Sequence, residues 1–303
     1  MIKTIVMKRL LSIIASAVLL LSGCEKETMP YEGETGIYFS IQRGNTWGSE
    51  INWPFYPYSW LEFVMQGTSQ QHTISLRVRV AGNLADVPRT FKYEIDPATT
   101  NATEGVDYVK PSGESVIPAG KRDGYIDLVV NRTPIMETDT LYIGLKLLPN
   151  EHFLLAFTEF NQPPGMTVTS EAIVSHFDAT KHVVRVNDVL VQPPVWLGGI
   201  YQYGTFEEFN IFGVFTAKKF RLICELNPGV SYSDFLVAAT MSSDRMRILS
   251  RKVAAYLQEQ YRNGTPLLEN DGRLMWVETL PWYSRLNEPW DGIINPDYFY
   301  SYR

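Results

Sequence analysis

Six aromatic side chains crowd into 14 positions of the chain: Trp47, Trp53, Phe55, Tyr56, Tyr58 and Trp60. Rings at this density suit one kind of recognition. A flat π face packs against the CH face of a pyranose, and the neighbouring Asn, Glu and Ser side chains bond its hydroxyls. Trp47, Trp53, Tyr56, Tyr58 and Trp60 are therefore the candidate ligand-binding residues, and a glycan is the candidate ligand. The competing reading is that the stretch folds back and caps a core, because aromatic side chains bury well and are costly to leave in water. Pro54 and Pro57 exclude a regular helix or a central strand across its middle.

Residues able to carry catalysis are sparse. His72, His152, His176 and His182 are scattered, and none lies in a nucleophile–base signature. His176, Asp178 and His182 have a spacing that could hold a metal, but they fall in strand-rich sequence where polar positions face solvent. Cys224 is flanked by apolar residues and reads as a buried small side chain rather than a reactive thiol. No Gly-x-Ser-x-Gly, His-Glu-x2-His or phosphate-loop pattern occurs. A glycosidase needs only two carboxylates, and the chain has 33 acids, yet no pair is distinguished. The reading is of a non-enzyme with no catalytic residue, metal or cofactor.

The elements that must position the aromatic stretch are strands. The 303-residue length gives a prior of two domains, and 45% hydrophobic against 20% charged residues is a folding composition. A net charge of −6 offers no footprint for nucleic acid. Gly36–Phe39 opens a short β run. Residues 73–80 alternate strictly, with Ile74, Leu76, Val78 and Val80 on one side. Residues 90–95, 125–130 and 141–147 repeat that period, with Pro, Gly, Asn and Asp between the runs. Short strands punctuated in this way predict a β-sandwich.

The second half changes character. Val183–Val186 and Val189–Val191 predict a strand pair or a bent strand, and residues 215–226 an amphipathic segment. Residues 243–263 predict a helix: Met246, Leu249, Val253, Leu257 and Tyr261 recur at helical spacing, Ser243 caps the start and Asn263-Gly264 the end. Asn270-Asp271-Gly272 predicts a hairpin turn. The expectation is a mainly β protein, with a β-sandwich over residues 36–175 and a smaller α+β C-terminal domain over 176–303.

The N-terminus carries an address. Lys3, Lys8 and Arg9 precede the apolar run 10–21, which is too short for a membrane span. It ends in Leu21-Ser22-Gly23-Cys24, which resembles the lipobox of bacterial lipoproteins. The resemblance implies a signal peptide over residues 1–23, lipidation of Cys24 and a tether over 24–35. Two or more acyl chains hold a protein firmly without a transmembrane helix. Cleavage removes three cations and no acid, so the remaining acidic body stands off an anionic membrane. Glu25-Lys26-Glu27 resembles the acidic export signal of Bacteroidales lipoproteins displayed on the cell surface.

A second resemblance rests on Gly105-Val106-Asp107-Tyr108 and Pro118-Ala119-Gly120, followed by the strand 125–130 and by Glu137 to Leu145. The order is similar to that of a Calx-β domain, an immunoglobulin-like β-sandwich in which these turns separate consecutive strands, and the resemblance implies that fold for residues 36–175. Gly permits positive φ, Asp bonds the backbone nearby and Tyr closes the sandwich end. Calcium needs six to eight oxygens, and no loop here has that density of acids, so Asp107 reads as a turn residue. Lipobox, Gly-Ile-Tyr-Phe strand and Calx-β-like sandwich, with the segment Phe212-Gly213-Val214-Phe215-Thr216-Ala217-Lys218-Lys219-Phe220, together resemble a Bacteroidales surface-lipoprotein family of unknown function. That resemblance implies an outer-membrane location, a lipid anchor as the membrane contact, and the company of a TonB-dependent transporter and a glycan-binding lipoprotein. The function it implies is accessory binding in nutrient uptake. A structural or docking module of the outer membrane is the alternative, and a cryptic glycan hydrolase a further one.

Overall fold

The computed structural model describes residues 35–44, 49–166, 172–201 and 206–299. The leader, Cys24, most of the tether and Trp47 lie outside the described residues. Twelve strands occur among those described: β1 (Gly36–Phe39), β2 (Tyr58–Glu62), β3 (Gln71–Ala81), β4 (Arg89–Ile95), β5 (Glu114–Ile117), β6 (Asp123–Asn131), β7 (Leu141–Leu148), β8 (Phe160–Asn161), β9 (His176–Phe177), β10 (Lys181–Asn187), β11 (Gly199–Tyr201) and β12 (Glu207–Phe209). Two α-helices follow, α1 (Ala217–Leu226) and α2 (Ser243–Arg262). The fold is the expected mainly β one with a smaller helical C-terminal part.

Two sheets face each other. One has the order β1-β3-β6 and the other β2-β10-β7-β4-β5. All pairings are antiparallel except β2 with β10, which run parallel. The alternation read from the sequence fills the space between them. Leu76, Val78 and Val80 of β3 and Ile126, Leu128 and Val130 of β6 are buried against Phe91 of β4, Ile143 and Leu145 of β7, and Val184 and Val186 of β10. Each such side chain contributes about 1.5–3 kcal/mol by leaving water. The Gly105-x-Asp107-Tyr108 turn works as its residue types require: Gly105 sits at φ 79°, the Asp107 carboxylate accepts from the Thr103 amide (2.8 Å) and the Thr133 hydroxyl (2.7 Å), and Tyr108 is buried in the core.

The boundary expected at residue 175 is displaced. β10 lies in the middle of the five-stranded sheet, between β2 and β7, so the sandwich continues through Asn187. Alternation identifies a strand but not the sheet it joins. The stretch read as a loop around residues 54–64 also contributes β2, an edge strand that starts directly after Pro57. An edge tolerates the preceding prolines because only one side must be hydrogen-bonded.

A second core starts at Trp196, whose ring meets Phe212, Phe215, Phe220 and Phe235. α2 buries Met246, Leu249, Val253, Leu257 and Tyr261, the five residues its spacing singled out, and Trp282 stacks on Tyr261 at 5.0 Å. The cap is one residue earlier than expected: Ser242, not Ser243, accepts from the Arg245 amide. Among the described residues, no helix is long and apolar enough to cross a membrane.

Candidate functional site

Register builds a row of large side chains across the outer face of the five-stranded sheet. Arg185 of β10 lies directly opposite Trp60 of β2 on one side and Tyr142 of β7 on the other. Ser59, Leu61, Val184, Val186, Leu141 and Ile143 alternate with them and point into the core, so the outward direction of the row is fixed by period 2. Trp60 and Tyr142 are each 39% exposed. The next row holds Tyr58, Val183 and Gly144.

Gly144 explains the wall beside this row. A Cβ there would lie 1.9 Å from Thr99 Oγ1 and 3.2 Å from the Asp96 carbonyl. Its absence lets the turn 97–101 lie on the sheet. The Asp96 side chain caps that turn at the Ala98 amide (3.2 Å), Thr100 Oγ1 accepts from the Gly144 amide (2.9 Å), and Asn101 Oδ1 accepts from the Tyr142 amide (2.6 Å). A cavity of about 460 Å³ results, lined by Tyr58, Thr99, Asn101, Tyr142 and Arg185 among others, with no acid in its lining.

Arginines and rings alternate beneath this surface. The Arg185 guanidinium lies 3.8 Å from the Tyr58 ring centroid and 5.3 Å from that of Trp60. On the far side, Arg43 lies 5.1 Å from Tyr58 and 4.7 Å from Tyr56. Such contacts contribute about 0.5–2 kcal/mol each and hold the rings at fixed angles.

The five aromatic candidates therefore separate. Tyr58 and Trp60 share the outward face of β2 at positions i and i+2. Tyr56 is 1% exposed, so it supports Tyr58 edge-on (5.6 Å) and offers no face to a ligand. Trp53 is half-buried and packs over Gly44, where a Cβ would lie 2.1 Å from its Cδ1. Trp47 is outside the described residues. Sequence reasoning missed Arg185, Tyr142 and Asn101. Alternation of Leu141, Ile143 and Leu145 leaves Tyr142 on the outward face, but only the β2–β10 and β10–β7 pairings bring it and Arg185 to Trp60.

Several buried charged groups elsewhere pair with one another. A second cavity of about 460 Å³ lies at the seam of the two cores, where Arg132 forms a two-pronged pair with Asp188 (2.8 and 2.7 Å) and Arg221 meets Glu137 (2.7 Å). Cys224 lines it, and burial pushes its thiol up to about 11, which removes nucleophilic character near neutral pH. His182 is wholly buried, with Nε2 2.9 Å from Ser59 Oγ, and His176 instead meets Glu159 at 3.0 Å. Among the described residues, no group of three such side chains could hold a metal. Inside the C-terminal core, Lys219 binds Glu208 (2.6 Å) and Glu269 (3.4 Å) and donates to the carbonyls of Phe212 and Val214 (both 3.0 Å), while Arg273 pairs with Glu208. Gly213 sits at φ 63°, and a Cβ there would meet Glu208 Oε2 at 2.0 Å. Thr216 caps α1 at the Lys219 amide and donates to Glu269 Oε2 (2.8 Å). The segment 212–220 thus encodes a sealed charge cluster.

A family model described as a domain of unknown function (DUF4843) matches residues 31–226. Among solved structures, the chain is similar to CBD12 from CALX1.2 (14% identity, TM-score 0.28, covering 50% of this chain and 44% of that one). It is similar to a Bacteroides ovatus protein provisionally described as carbohydrate binding (10%, 0.30, 60% and 43%). It is also similar to a Bacteroides ovatus protein of unknown function (13%, 0.31, 62% and 62%). The chain spans less than two thirds of each of these structures. No curated protein matches it. Likeness at this level leaves function to be argued from the chain's own residues.

Proposed function

Since the chain belongs to the family described as a domain of unknown function (DUF4843), we propose from its site that it is a non-catalytic glycan-binding protein. It is anchored to the outer membrane through Cys24, displayed at the cell surface, and serves as an accessory of nutrient uptake beside a TonB-dependent transporter and a glycan-binding lipoprotein. The observation that carries the binding role is the Trp60–Arg185–Tyr142 row with its adjoining cavity. Two part-exposed rings on the strands either side of β10 give a platform, and Thr99 and Asn101 at its rim supply hydroxyl and amide partners. A rigid sheet presents them, which limits the entropy lost on binding. The Glu208 and Glu269 carboxylates are sealed from solvent, with Lys219 beside both and Arg273 on Glu208, so they are not available as a catalytic pair.

The test is native affinity electrophoresis of the detergent-purified full chain through gels containing a panel of polysaccharides. Trp60→Ala and Tyr142→Ala should each weaken retardation by about five- to thirtyfold, the range for loss of an aromatic anchor. Both positions are outside the core, so melting temperature should stay nearly unchanged. Retardation that persists in both variants would move the site elsewhere. No retardation by any glycan would leave the structural or docking role.

A further inference from the structure

We propose that the cavity beside Tyr58 selects an acidic glycan, with Arg185 as the receptor for a carboxylate or sulfate on the sugar. The inference rests on the glycan reading of the same face and adds the charge of the ligand.

Arg185 differs from its neighbours. Lys146 and Lys181, two other cations on the outer face of this sheet, each hold an acid: Lys146 meets Glu94 at 2.9 Å and Lys181 meets Asp178 at 3.5 Å. Among the described residues, Arg185 has no acid partner and its contacts are to the rings of Tyr58 and Trp60. Its Nε is buried and has no hydrogen-bond partner. A buried donor left unmade is expensive, and a guanidinium without a counter-charge more so. An acceptor brought by a ligand would relieve that cost.

The geometry states what that acceptor is. The Arg185 guanidinium lies over the Tyr58 and Trp60 rings, and no hydrogen bond takes up its N–H groups among the described residues. Its edge is a fork of parallel donors, which matches two oxygens of a carboxylate, or of a sulfate, in a two-pronged contact. The adjoining cavity of about 460 Å³ has room for a sugar residue and contributes no acid to repel one. Asn101 turns its Oδ1 to the Tyr142 amide, which leaves its Nδ2 to donate at the same rim. Trp60 and Tyr142 flank Arg185 and would hold the ring of the sugar whose charge Arg185 reads. The whole chain is acidic, at −6, so attraction of a polyanion must come from a local feature of this kind.

The test uses the same detergent-purified chain with four matched polymers: polygalacturonate, its methyl ester, dextran sulfate and dextran. The expected result is retardation by polygalacturonate that falls with added salt and is weak for the methyl ester. Arg185→Met, which keeps an apolar stem between the rings, should weaken it by about tenfold or more. Arg185→Lys keeps the charge and loses the fork, so it should fall between the two, and it serves if the Met variant does not fold. Retardation by dextran sulfate but not polygalacturonate, lost in Arg185→Met, would assign the anion as sulfate. Retardation by neutral polymers that is lost in Trp60→Ala and unchanged in Arg185→Met would overturn the acidic ligand and leave the platform. Retardation by none of the four, together with none on the wider panel, would overturn both.

Discussion

The sharpest prediction concerns a histidine that binds nothing. His182 is fully buried on the inner face of β10, beside the Phe39 ring (5.3 Å) and with Nε2 at 2.9 Å from Ser59 Oγ. Its Nδ1 is buried without a partner. Desolvation, and then the nearby Arg43 charge, push its pKa from 6.5 down to about 3. The folded state therefore resists a proton that the unfolded chain accepts at 6.5. Stability from this group is fully present above pH 6.5, is lost as pH falls, and levels off near pH 3. Between those limits each pH unit is worth about 1.4 kcal/mol, so lowering pH from 7 to 5 costs about 2 kcal/mol through this residue alone. The assay is urea unfolding at pH 7, 6 and 5 for the natural chain and for His182→Gln, which keeps a polar atom for Ser59. Asp123, held low by its hydrogen bond from Arg79, loses its contribution only below about pH 4 and is common to both proteins. The stability difference between the two should shrink or reverse toward the variant by about 2 kcal/mol over this range. Parallel pH profiles would refute the reasoning and place His182 in contact with water or an unrecognised anion.

Two further substitutions test the scaffold. Lys219→Met leaves Glu269 Oε1 buried without its one cation, and should cost about 3–5 kcal/mol in urea unfolding, with part recovered by adding Glu269→Gln. Gly144→Ala drives a Cβ into Thr99 and should cost about 1–3 kcal/mol while loosening the turn 97–101 and weakening glycan retardation; Thr99→Gly in the same chain should restore part of both.

Much of this fold was legible because period-2 alternation reports burial directly. β1, β3, β4, β6 and β7 fall where Ile, Leu, Val and aromatic residues alternate with polar ones. The Gly105 turn was legible because only certain residues fit it. Pairing was not. The sequence marks residues 183–186 as strand, but the place of Arg185 between Trp60 and Tyr142 depends on a parallel contact between strands more than a hundred residues apart. Burial of individual rings was hidden for a related reason. Tyr56 and Tyr58 are the same residue two positions apart, yet one is sealed under Arg43 while the other faces the cavity. The prolines around Tyr56 break the alternation that would have told them apart.

The extent of the family match has a physical consequence. It ends at Leu226, the last residue of α1, yet the charge buried on that helix is balanced from beyond it. Lys219 needs Glu269, and Glu208 needs Arg273 and the Ser284 hydroxyl (3.1 Å). Phe220 rests on Tyr232 and Phe235, and the second core runs on through Val253, Leu257 and Trp282. A segment ending at residue 226 would expose that apolar face and strip the buried Lys219–Glu208 pair of Glu269, Arg273 and the Ser284 hydroxyl. The sandwich carries no such debt, because its strands close through Asn187 and its site residues Tyr58, Trp60, Tyr142 and Arg185 all lie before that point. The proposed binding face and the sealed charge cluster therefore belong to different cores. They meet at the seam where Arg221 reaches Glu137 and Asp188, so substitutions in the cluster act on stability while those on the sheet face act on recognition.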